Sequence, residues 1–305
     1  MIFILKYYYG LENPSIYKDA EYIYVRDKQK KYMLYTIENL IEFNEVIKLT
    51  SINKERFDRI VATKDNDLYI YYQDKAYALI EITIEGRRNQ ELINNMNKVK
   101  IHDLKEYNFL NRSNWYFLWC NKTDYFREKN KYYVDNTNYY VSDYYIGMAE
   151  SAIQYYNSAI SKEKTNKSLY VSHKRITEKL NTNPINIVID RAERDIAEYI
   201  KYLILKGEYT DECDKYLTEK IYKNNLNPEL IFARLLFPTQ YFDVCETVIL
   251  NNKSKILTSE QVIYYEKKIK NVYKMLSKIK KIKKIDWLWN ITSLHFWLLL
   301  PQEFH

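Results

Sequence analysis

The spacing of apolar positions changes character along the chain. Up to residue 86 it mostly has the period of a β-strand. EYIYVRD (21–27) and KKYMLYTI (30–37) are short aromatic and β-branched runs separated by polar residues, which predicts a hairpin. NLIEFNEVIKLTSI (39–52) switches to helical spacing through Leu40, Phe43, Val46 and Ile47. DRIVATKDNDLYIYYQDKAYALIEITIEG (58–86) returns to strands, two around an Asp-Asn-Asp turn and a final run ending at Gly86. A lobe of about five strands with one helix is expected over residues 1–86.

From about residue 90 the pattern turns helical. Helices are expected in ELINNMNKVKIHDLKEYNFL (91–110), RDIAEYIKYLIL (194–205), PELIFARLLFPTQYFDVCETVIL (228–250) and QVIYYEKKIKNVYKMLSKI (261–279). Another is expected in VSDYYIGMAESAIQYYNSAI (141–160), with Tyr145, Met148, Ile153 and Tyr156 as its buried stripe. Between them LYVSH (169–173) and INIVID (185–190) read as two short strands. The expected fold class is α+β, with a β-rich lobe over 1–86 and a helical lobe over 87–305. That order of elements is the protein-kinase-like arrangement.

The chain has 305 residues, 47% hydrophobic and 29% charged, so it can bury a sizeable core. Only 4 Gly and 5 Pro are present, which argues against disorder and against any fold needing several glycine-rich turns. The 33 tyrosines invite oxidative crosslinking as a role, but Tyr, Lys, Asn and Ile are all abundant and all use AT-rich codons. The net charge of +7 is uneven, with eleven lysines between residues 253 and 284. Because Ile269, Val272, Leu276 and Ile279 recur there at helical spacing, this is read as an amphipathic helix with a solvated basic face. Tyr264, Tyr265 and Tyr273 alone make a poor stacking platform, so nucleic acid is not an expected partner.

Cys120, Cys213 and Cys245 are far apart and form no CxxC pair, so neither a zinc site nor a disulfide framework is expected, and reduced thiols in a cytosolic setting are the simplest reading. MIFILKYYYG is too short and too polar at its end for a signal peptide. WLWNITSLHFWLLLP (287–301) is shorter than the roughly 20 residues a membrane-spanning helix needs and carries Asn, Thr, Ser and His. It is expected to dock on the core or on a partner.

YYIGMAESAIQYY (144–156), SHKRI (172–176), INIVIDRAERDIAEYI (185–200) and ARLLFPTQYFDVCE (233–246), with the N-terminal YYYGLE, resemble the spore-coat-associated CotS/YutH-type family of endospore-forming bacteria. The similarity covers most of residues 5–288. That family is related to the aminoglycoside-phosphotransferase and choline-kinase group, so the resemblance implies a two-lobed kinase-like fold, a cytoplasmic or spore-coat location and coat proteins as partners.

Phosphoryl transfer needs a loop over the phosphates, a lysine on them, carboxylates for Mg²⁺ and a base for the acceptor. Asp27-Lys28-Gln29-Lys30-Lys31, taken as the phosphate-covering turn, contains no glycine, and YMLYTI (32–37) offers Tyr35 or Thr36 where a lysine is required. Related phosphotransferases carry His-Gly-Asp with an Asn five residues after the Asp. This chain has His173-Lys174-Arg175 and then Leu180, with Asn181 and Asn183 out of register. Arg175 cannot act as a general base because its guanidinium stays protonated. Asp190 matches the Mg²⁺-binding carboxylate, though one carboxylate is a poor site alone. Asp195 matches the Asp that starts the next helix and braces the loop. The cleft residues His173, Arg175 and Asp190 are therefore expected to be a degenerate remnant, with Asp195 structural and neither metal nor cofactor resident. The leading expectation is a pseudokinase-like coat protein that works by binding other proteins. A divergent small-molecule phosphotransferase is the alternative.

Overall fold

The computed structural model describes residues 1–19, 22–52, 54–83, 99–101, 103–133, 136–163, 168–177, 182–251 and 259–280. By packing, the chain divides into two compact units. One comprises residues 1–113 and 168–191, the other residues 114–167 and 192–305. This partition follows contacts, whereas a division at residue 86 follows secondary-structure content.

In the first unit, helix α1 (Ile2–Tyr9) precedes strands β1 (Ser15–Asp19), β2 (Tyr22–Asp27) and β3 (Lys30–Ile37). Helix α2 (Leu40–Ser51) follows, then β4 (Arg59–Val61), β5 (Ile70–Tyr72) and β6 (Lys75–Glu81). The sheet is antiparallel in the order β1-β2-β3-β6-β4, with β5 also on β6. Side chains alternate between its faces with period two. Met33, Tyr35 and Ile37 stand opposite Ile80, Ala78 and Ala76 on one face. On the other, Tyr32 and Leu34 join Val25, Leu79, Ile4 and Leu5, so α1 covers that face. Both faces of β3 are thereby buried, which is why three consecutive residues, Tyr32, Met33 and Leu34, are all inaccessible.

α2 starts where the Asn39 side chain accepts the Ile41 and Glu42 N–H groups. Phe43 lies against Ile37, Ala76 and Ala78 of the sheet. One helical turn on, Val46 and Leu49 pack with Phe57, Tyr107, Leu110, Ile187 and Ile189. The last two belong to a second sheet, β7 (Lys100–Ile101), β8 (Leu169–His173) and β9 (Ile187–Arg191), all antiparallel. Val46 and Leu49 are essentially inaccessible, each worth about 1.5–3 kcal/mol of burial.

The second unit is helical: α3 (Trp115–Tyr133), α4 (Asn136–Ser161), α5 (Glu193–Lys206), α6 (Asp211–Lys223), α7 (Pro228–Leu236), α8 (Thr239–Asn251) and α9 (Ser259–Ile279). Its core is aromatic. Trp119 stacks on Phe237 at 4.6 Å and Phe126 on Phe242 at 4.7 Å. Arg234 pairs with Glu198 at 2.9 Å, both side chains buried, and lies over the Trp115 ring at 4.9 Å. No described helix is long and apolar enough to cross a membrane.

Four sequence expectations need correction. Of the helix expected over 91–110, residues 91–98 and 102 lie outside the described residues, and the rest is a two-residue strand and turns. Residues 228–250 form two helices, because Pro238 has no N–H to continue the first and holds Phe237 extended, with ψ 117°. α1, α3, α6 and β1 are additional elements. The Asp27–Lys31 turn joins the second and third strands of the sheet. The first two are linked through Ala20-Glu21, which lie outside the described residues. No glycine lies between Gly10 and Gly86, so this link lacks one as well.

Candidate functional site: the loop after β8 and the end of β9

The sequence-predicted residues His173, Arg175 and Asp190 belong to one hairpin. β8 and β9 pair so that His173 faces Ile187 and Tyr170 faces Asp190. β9 is bonded on its other side too, since Ile189 N–H donates to Leu110 O at 2.8 Å and Arg112 N–H to Ile189 O at 2.9 Å. Asp190 is fully buried, and its Oδ1 accepts the Arg191 N–H at 2.6 Å.

Past His173 the loop is clamped by Asn186. Its Oδ1 accepts the Arg175 N–H at 3.1 Å, its Nδ2 donates to Arg175 O at 2.8 Å, and its own carbonyl accepts the Lys174 N–H at 2.7 Å. The Arg175 guanidinium turns back onto Lys174 O, with Nη1 donating at 2.8 Å. Asn183 is equally committed: Oδ1 accepts the Ile185 N–H at 3.1 Å and Nδ2 donates to Met33 Sδ at 3.4 Å. Thr182 is tied to Asp58, whose Oδ2 accepts its hydroxyl at 2.9 Å and whose Oδ1 accepts the Thr83 N–H at 2.9 Å.

The helix facing this loop carries two carboxylates. Glu45 is buried and accepts the Phe109 and Leu110 N–H groups at 2.9–3.1 Å. Glu42 accepts Lys174 Nζ at 2.7 Å. Protein kinases pair a third-strand Lys with a Glu of the helix that follows. Here the third strand offers Tyr35, whose ring lies 6.3 Å from that of Phe43. Burial first, then the nearby Glu42 and Glu38 charges, push its phenol up to about 12. Of the two helix carboxylates, Glu42 takes its lysine from the loop after β8.

Phosphotransferases of this fold hold Mg²⁺ on a carboxylate and an amide and place a base at the acceptor. Near Asp190, Asn186 spends both side-chain polar atoms on the Arg175 backbone, while Asn183 divides its own between the Ile185 N–H and Met33 Sδ. Among the described residues no three His, Cys, Asp or Glu side chains come together as a metal site. Asp195 belongs to the second unit. It is fully buried in the first turn of α5, where the helix dipole favours an anion, while the cap position is Ala192, which has no side-chain acceptor.

A model of the family described as "Spore coat putative kinase YutH" matches residues 3–282. The chain belongs to this spore coat YutH family. The endospore coat-associated protein YutH of Bacillus subtilis (strain 168) is 29% identical over 125 residues, a match spanning 37% of this chain and 37% of that relative's length. Among solved structures, spectinomycin phosphotransferase in complex with ADP and spectinomycin aligns with a TM-score of 0.58 at 10% identity, covering 92% of this chain and 98% of that one. An aminoglycoside phosphotransferase from Alicyclobacillus acidocaldarius gives 0.57 at 10% identity, covering 95% and 94%. Choline kinase from Streptococcus pneumoniae gives 0.53 at 10% identity, covering 90% and 97%. The YutH-family chain therefore has the protein-kinase-like phosphotransferase fold.

The sequence did not point to Glu42, Glu45 or Asn186. Glu42 and Lys174 are 132 residues apart, and nothing in Pro-Ile-Asn marks Asn186 as a clamp. The one available signal for Glu42 was its place in the first turn of the helix after the third strand.

Proposed function

We propose that this YutH-family chain is a catalytically degenerate kinase-like protein of the spore coat or mother cell that acts by binding other proteins. The observation that carries the reading is the Glu42–Lys174 pair at 2.7 Å, which commits one α2 carboxylate to a loop whose second residue is Arg175. An arginine cannot take a proton from an acceptor hydroxyl. In this reading His173, Arg175 and Asp190 are remnants of a catalytic cleft and Asp195 is a structural brace. Coat proteins are the partners, and no nucleotide or metal is a resident cofactor.

A thermal-shift experiment with ATP, with and without Mg²⁺, tests it. A ligand at a hundred times its dissociation constant adds about 2.7 kcal/mol, a shift of at least about a degree or two in a chain of this size. No Mg²⁺-dependent shift is expected at millimolar ATP. A shift that disappears in Asp190→Ala would make the chain a divergent phosphotransferase instead. In sporulating cells, Asp190→Asn is expected to support normal coat assembly. Loss of assembly with a folded protein would exclude a purely scaffolding role.

A further inference from the structure

α9 buries Glu266, Ile269, Val272, Tyr273, Met275 and Leu276 and turns its lysines outward. They differ in their engagements. Lys268 donates to Tyr209 O at 3.2 Å and lies over the Tyr264 ring, and Lys280 reaches Glu229 at 3.4 Å. Lys267, Lys274 and Lys278 are exposed and make no ion pair or hydrogen bond among the described residues, while Lys270 is half-buried and close enough to Glu266 to favour its ionised form. Successive steps of three, four and four residues put these four within about 80° of one another around the helix and spread them over roughly 16 Å, one ammonium every helical turn.

We propose that this lysine stripe is a docking ridge for an acidic α-helix of a partner protein. A partner helix with carboxylates at the same spacing repeats every 5.4 Å or so and meets each lysine in turn. Nucleic acid fits less well. The stripe holds no arginine fork for bidentate phosphate binding, and of the nearby rings Tyr273 is buried, the Tyr265 hydroxyl is held by Leu235 O at 2.9 Å, and exposed Tyr264 is a single ring already under Lys268 at 5.6 Å. α6 packs against α9 and exposes Asp211, Glu212 and Glu219 together with Lys215, so the neighbouring surface is not uniformly basic as a broad polyanion would require. The inference names a partner chemistry for the proposed binding role and does not use the β8–β9 loop, so nucleotide binding and ridge binding fail separately.

The test is fluorescence anisotropy of the full chain with a labelled designed helical peptide carrying Glu at positions i, i+3, i+7 and i+11. A scrambled peptide of equal charge, a single-stranded DNA 20-mer and phosphatidylserine vesicles serve as the other probes. The patterned peptide should bind, weaken as salt rises, and exceed the scrambled one. Lys267→Glu with Lys274→Glu should lower its affinity about tenfold, with melting temperature unchanged, and a peptide with Lys at the matching two positions should restore it. Equal binding of patterned and scrambled peptides, no peptide binding, or stronger binding of DNA or vesicles that the same variant abolishes would each overturn the proposal.

Discussion

Asn186 holds the loop after β8 with a single carboxamide, accepting from Arg175 N–H and donating to Arg175 O. Asn186→Ala removes both bonds and leaves partly buried backbone groups without them, so a loss of about 2 kcal/mol is expected in denaturant unfolding. Asn186→Asp keeps the acceptor and loses the donor, and it should fall between the two. Glu266 presents the opposite situation, a buried acid that the native state holds at a cost. Burial pushes its carboxyl up, and Tyr144 and Lys270 offset this only in part. The folded chain therefore keeps a proton that the unfolded chain releases, and stability falls as pH rises through the ordinary carboxylate range. Glu266→Gln should leave the melting temperature nearly unchanged near pH 4 and raise it near pH 7. Equal melting of the two proteins near neutral pH would show that the carboxylate is compensated.

At the scale of elements, α5 and α7 are joined by the buried Glu198–Arg234 pair among other contacts. Arg234→Ala strands a buried carboxylate, and a loss of about 3–5 kcal/mol is expected by calorimetry, much of it recovered when Glu198→Leu and Arg234→Met are combined. Elements with a clean period were legible in the sequence: β2, β3, α2, α4, α5 and α9. Others were not. α1 is a run of Ile, Leu, Phe and Tyr that reads equally well as a strand, and its helical state follows from covering one face of the sheet. β1 is five residues long at the sheet edge and mostly outward-facing, so it has no apolar alternation to detect. α6 is polar apart from Leu217 and Ile221. Around the loop after β8, the sequence singles out His173, Arg175 and Asp190 through a local motif. The Glu42–Lys174 pair was not legible, since it arises only when α2 and the β8–β9 hairpin pack together.

For the whole molecule, the first packing unit draws on two separate stretches of chain, and its apolar cluster needs both. Val46, Leu49 and Phe57 find Ile187 and Ile189 as neighbours, and Asp58 finds Thr182. A fragment of residues 1–86 should accordingly lack a cooperative thermal transition, whereas residues 1–113 joined through a flexible linker to 168–191 should show one. A cooperative transition in the short fragment would mean that the first sheet is self-sufficient. The same arrangement sets a schedule during translation. The apolar side of α2 emerges early, yet the strand that covers it leaves the ribosome about eighty residues after the first stretch is complete. At roughly 5–20 residues per second this is a wait of about 4–16 s, during which the nascent chain offers an uncovered helix face to any chaperone nearby.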